Sequence, residues 1–155
     1  MCDYSLHSVK TRAAKLEDRL IVYNFGTGTR GFAENTGAAA LTAGCATALC
    51  VKPGTEIAFD EPIRYIAPSF FKVNDGFGIY QRAKEEAKHH VAIFRQVNKG
   101  HDRMHHDAIE LPDGQIVMLT NLYEGQTGKI LQLPAEPKTA EEAKEQERLP
   151  WHEAV

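Results

Sequence analysis

The chain has 155 residues, 43% of them hydrophobic and 25% charged, with a formal charge of −3. That length and composition belong to a single globular domain able to bury a core without disulfide staples. The small negative charge, with Lys and Arg scattered along the chain, offers no basic field, so no nucleic-acid partner is expected.

The N-terminus opens Cys2-Asp3-Tyr4-Ser5-Leu6-His7. Asp3 and His7 stand where a secretory signal would carry its apolar run, so the expected compartment is the cytoplasm, with Cys2, Cys45 and Cys50 reduced. Residue 2 is small, which favours removal of Met1 and leaves an α-amino group on a cysteine. That amine and its thiolate can chelate a metal together, or the amine can serve the sulfur as a base.

Arg19-Leu20-Ile21-Val22-Tyr23-Asn24-Phe25 has the β-branched and aromatic content of a strand. Gly26-Thr27-Gly28-Thr29-Arg30-Gly31 follows and matches G-x-G-x-x-G. A dinucleotide site would need those glycines to open a helix, yet Gly37 interrupts the stretch behind them. A glycine-rich hairpin is the expectation, and no nucleotide cofactor.

Ala38 to Ala43 reads as helix and Ala46 to Val51 as strand. Residues 35–51 form the longest uncharged run, which falls short of the roughly 20 strongly apolar residues of a spanning helix. No membrane segment is expected. Cys45 and Cys50 share neither C-x-x-C spacing nor a flanking histidine and read as small core residues.

Thr55 to Asp60 and Ile63 to Ile66 are short strands, followed by a loop over 69–80 that holds Phe70, Phe71 and Phe77. Residues 81–90 are good helix formers and predict the internal helix, with His89 and His90 in its last turn. Val91 to Val97 is a strong strand. Ala108 to Leu111, the turn Pro112-Asp113-Gly114 and Gln115 to Thr120 make a hairpin, and Lys129 to Leu133 a last strand. From Ala135 the composition turns charged, and Thr139 with Glu142 has the spacing of a capping box. The chain therefore divides into a β-rich domain over 1–134 and a charged helical tail over 135–155. The expected fold is mainly β: a small barrel or sandwich of six to eight strands, with one internal helix and a C-terminal helix.

The chemistry concentrates in Gly100-His101-Asp102-Arg103-Met104-His105-His106-Asp107, with three of the seven histidines. In an extended segment Asp107 shares a face with Ile109 and Leu111, and His105 joins them if the strand reaches back that far. An inward carboxylate needs a partner: a metal, an imidazolium, or one of Arg30, Arg95 and Arg103. Three functions compete. The first is a transition-metal site (zinc, iron, copper or nickel) drawn from Cys2, His7, His105, His106 and Asp107, because mixed nitrogen and sulfur ligands suit those ions. The second is a non-enzymatic binding or assembly module with a protein partner or a second copy of the chain. The third is a thiol or acyl-transfer enzyme with Cys2 as nucleophile.

The opening Met-Cys-Asp-Tyr-Ser-Leu-His, with Thr29-Arg30-Gly31-Phe32, Pro53-Gly54-Thr55-Glu56, His105-His106-Asp107 and Leu131-Gln132-Leu133-Pro134, resembles a group of short uncharacterised bacterial proteins. The resemblance covers residues 2–134 and implies no activity. Against that pattern, residues 37–44 and the tail after Pro134 look like additions.

Overall fold

A computed structural model describes residues 9–26, 29–42, 44, 46–72, 78–101 and 103–146. The described residues are mainly β, with eleven strands. These are β1 (Thr11–Ala13), β2 (Arg19–Asn24), β3 (Arg30–Glu34), β4 (Ala48–Cys50), β5 (Glu56–Phe59), β6 (Arg64–Lys72), β7 (Gly78–Glu86), β8 (Val91–Gln96), β9 (Asp107–Glu110), β10 (Ile116–Met118) and β11 (Thr127–Gln132). Two short helices, α1 (Ala38–Thr42) and α2 (Ala140–Gln146), and a 3-10 turn at Leu119–Asn121 complete them. Among the described residues no helix is long and apolar enough to cross a membrane.

Nine strands form one sheet in the order β1-β4-β3-β2-β11-β5-β8-β9-β10, antiparallel except for the β1–β4 pair. The strand count exceeds the six to eight expected, because β1 and β3 were not read as strands from the sequence and the predicted internal helix is itself a strand. The sheet curls into a half-barrel. Three strands separate β3 from β8 in the sheet, yet the ring of Phe32 on β3 lies 6.4 Å from that of Phe94 on β8 and 6.3 Å from that of Phe59 on β5. Leu20, Val22, Ile57, Ile109, Val117 and Ile130 join them in one buried cluster. Alternation along each strand sends these side chains to the concave face.

The seam between β10 and β3 is closed by a side chain. After β10 the 3-10 turn carries the chain back toward β3, where Arg30 donates through Nη1 to Thr120 O (3.2 Å) and Leu122 O (2.5 Å). Arg30 also faces Glu124 at 3.4 Å. A guanidinium suits this place because its donors lie in a rigid plane and it never loses its charge.

Two expectations need correction here. Residues 81–90 are not helical: β7 ends at Glu86, and Gln81 to Glu86 pair in antiparallel register with Arg64 to Ser69. Residues 69–80 are not one loop either, since β6 continues to Lys72 and β7 starts at Gly78. Helix propensity contributes only tenths of a kcal/mol per residue at such positions. A hairpin with nine registered pairs, from Arg64↔Glu86 to Lys72↔Gly78, outweighs it. This hairpin forms its own two-stranded sheet. Its foot is stitched to the barrel by buried Gln126, whose side chain accepts from Arg64 N (2.7 Å) and donates to Arg64 O (2.8 Å) and Tyr123 O (3.0 Å). Tyr65 adds a bridge to Leu122 and donates its hydroxyl to Gln115 Oε1 at 3.0 Å.

Other expectations hold. The glycine-rich run connects two antiparallel strands, with Tyr23↔Gly31 and Asn24↔Arg30 paired, so it is a hairpin and not a strand-to-helix turn. The β9–β10 hairpin turns at Gly114, whose φ of 86° suits a residue without a Cβ. At α2, Thr139 Oγ1 accepts from Glu142 N (3.2 Å), and the Glu142 carboxylate reaches back to Lys138 N (2.7 Å), a capping box shifted by one residue. The expectation of reduced thiols fails at Cys50, which is disulfide-bonded.

Candidate functional site

The His105-His106-Asp107 run lies where β8 and β9 leave the barrel. Gln96 and Asp107 are cross-strand partners, two residues beyond the Phe94↔Ile109 pair. Side chains alternate along a strand, so both share the concave face with Phe94 and Ile109. They form the last row at this end. Asp107 is only 8% exposed, and Gln96 Nε2 donates to its Oδ1 at 3.0 Å. The expected inward carboxylate is there, and an amide, a group not among those considered, is one of its partners. Arg30 closes the barrel, and Arg95 points the other way to bind Glu110 at 2.7 Å. Sequence reasoning missed Gln96. The available signal was its parity: in Val91-Ala92-Ile93-Phe94-Arg95-Gln96, the inward row ends on a polar residue.

His106 sits one residue before β9 and is half-buried. Its carbonyl accepts from Val97 N (2.8 Å), and its Nδ1 lies 3.0 Å from Val97 O. A carbonyl can only accept, so Nδ1 carries the proton and donates. In the neutral ring this leaves the lone pair on Nε2. The ring thus stands in for the next backbone donor of the ladder, and its tautomer is set by that bond.

The condition for an inward His105, a strand reaching back to it, is not met. His105 is exposed, because β9 begins at Asp107 and the alternation does not extend back to residue 105. His101 is exposed too, while Asp102, Cys2 and His7 lie outside the described residues. Among the described residues, no group of three or more His, Cys, Asp or Glu is arranged to hold a metal ion. The structure therefore brings Asp107, Gln96 and His106 to one rim and leaves His105 facing solvent. His89, expected in a helix, follows β7 instead, with Nε2 3.7 Å from Asp113 Oδ2 across the neighbouring turn.

The strongest electrostatic grouping is elsewhere. Arg12 bridges Asp18 and Glu34, each at 2.7 Å. Its hydrogen bonds hold both carboxyls below the usual carboxylate range. Asp60 is lowered chiefly by the Thr127 hydroxyl, with Arg19 as a second donor. These groups pin strand ends and lie apart from the rim. Comparison of the chain with family models, with curated proteins and with solved structures finds no match to any of them.

Proposed function

We propose that this β-domain holds a transition metal at the rim of its half-barrel, with His106 as the anchoring ligand. The observation that supports the reading is the Nδ1–H bond to Val97 O. Histidines that ligate metals commonly donate their other ring nitrogen to a carbonyl or carboxylate, which fixes the tautomer and aims the lone pair. Asp107 supplies a carboxylate one residue away, held in place by Gln96. Cys2 with its amine, His7 and the solvent-facing His105 are the further donors of this reading. Zinc, iron, copper and nickel accept such mixed donors.

The test is metal content of the purified protein, compared with Cys2→Ser, His105→Ala and His106→Ala. Metal should be lost in Cys2→Ser and in His106→Ala, and binding should tighten as pH rises because the ligands must shed protons. The Cys50 disulfide adds a sharper check. Ligation by Cys2 requires its thiol to be free, so peptide mapping must find Cys50 joined to Cys45. A Cys2–Cys50 bridge, or protein that takes up none of the four metals, overturns the proposal. The thiol or acyl-transfer reading needs the same free thiol and stands or falls with the same map.

A non-enzymatic binding or assembly module is the second reading. The two-stranded hairpin of β6 and β7 favours it: beyond the Tyr65–Leu122 bridge at its foot, its outer edges pair with no other named strand among the described residues and can take up another chain.

A further inference from the structure

The foot of that hairpin carries a cavity of about 270 Å³ that is open to solvent and lined among the described residues by Arg64, Lys84, Glu85, Glu86 and Tyr123. Tyr123 is part of that lining, and its hydroxyl is buried and is the described buried side-chain atom that lacks a hydrogen-bond partner. Buried hydroxyls are nearly always paired, because leaving one unpaired forfeits its hydration with nothing in return. Its backbone is well tied: Tyr123 N donates to Arg64 O at 3.1 Å, and its carbonyl accepts from Gln126. The phenol is therefore held in place, and its position is not the accident of a loose loop.

The charges around it are arranged for a ligand of two signs. Arg64 and Glu86 are cross-strand partners, and Lys84 lies two residues from Glu86, so all three share one face of the hairpin. Arg64 makes its ion pair with Glu61, at 3.5 Å with both side chains largely exposed, an arrangement of little strength. Glu86 and Lys84 enter no ion pair among the described residues. A guanidinium fork beside an ammonium takes a carboxylate. Glu86, on the same face, takes an ammonium. The Tyr123 hydroxyl, buried in the free protein, would donate to the carboxylate on a rearrangement of the lining side chains.

We propose that this cavity binds a small zwitterion of amino-acid size, with Arg64 and Lys84 on its carboxylate, Glu86 on its ammonium and Tyr123 as a neutral donor. The volume lies just below the usual range of drug-sized sites, which suits a ligand of that size.

The experiment uses the full chain and the standard L-amino acids as probes, read by thermal shift and by calorimetric titration. Propionate and ethylamine serve as single-charge controls. At least one amino acid should raise the melting temperature in a dose-dependent way, with each control weaker by roughly tenfold or more. Tyr123→Phe should bind that amino acid roughly tenfold more weakly while the ligand-free variant melts no lower than wild type, since the phenol has no partner to lose. Glu86→Gln should lower affinity for the amino acid and leave that for propionate unchanged. Absence of any shift with the whole panel overturns the proposal. So does a ligand-free Tyr123→Phe protein that melts well below wild type, which would mean the hydroxyl is already partnered.

Discussion

Replacing Arg30 with Met tests whether one guanidinium closes the half-barrel. Met keeps the length and apolar stem of the residue and removes its donors. Two bonds are lost, to Thr120 O and Leu122 O, from a side chain that is 25% exposed. Hydrogen bonds from a charged donor contribute about 1.5–3 kcal/mol each, and partial exposure places these at the low end. The Glu124 contact, at 3.4 Å and half exposed, adds little. The loss is then about 3 kcal/mol, which for a chain of this length lowers the melting temperature by about 9 °C. Arg30→Lys should recover only part of this, because an ammonium lacks the planar fork. Glu124→Gln should melt within about 1 °C of wild type. Hydrogen exchange should show the amides of Leu122 and Tyr123 opening earlier than those of β8 and β9. If Arg30→Met melts within about 2 °C of wild type, the seam is held by the core alone and the closure argument is wrong.

Gly128→Ala should be severely destabilising in denaturant titrations, by about 3 kcal/mol or more. The new Cβ would collide with Ala58 O and lie 3.1 Å from Phe59 Cα, both backbone atoms of β5 that can yield only by parting from β11. Gln126→Ala should cost about 2–4 kcal/mol and speed exchange at Arg64, because it strips a partner from one backbone N–H and two carbonyls at the hairpin foot. Arg12→Met should narrow its stability gap to wild type as pH falls. Arg12 lowers the folded-state pKa of Asp18 and Glu34, so its contribution is complete above the ordinary carboxylate range and disappears as pH drops through the lowered values. The gap should be open at neutral pH and close between about pH 5 and pH 2; a gap that is constant with pH would mean the ion pairs do not form. Deletion of residues 135–155 should leave cooperative unfolding, because Pro134 to Pro137 and Ala143 border a cleft of about 160 Å³ against Lys52 and Pro53 and so pack loosely.

Much of the rim was readable in advance. Alternation around Ile109 and Leu111 sufficed to turn Asp107 inward. Nothing in the chain near Asp107 names its partner. Gln96 becomes one through the β8–β9 register, which depends on a pairing eleven residues away. The same limit applies to His106, whose tautomer follows from a carbonyl on the neighbouring strand.

Local pattern alone determined the mainly-β class, the hairpins at Gly26 to Gly31 and at Gly114, and the capping box at Thr139. Each rests on residues within one turn or one strand of each other, where side-chain period and φ preference decide the outcome. Tertiary structure alone decided the state of residues 81–86, because nine cross-strand pairs with β6 outweigh a helix preference that is small per residue. It also decided the closure by Arg30, which joins residues 90 and 92 positions apart in the chain. Contacts at such separations depend on the curl of the whole sheet, and that curl is set by how Phe32, Phe59 and Phe94 fill one core rather than by any local run of sequence.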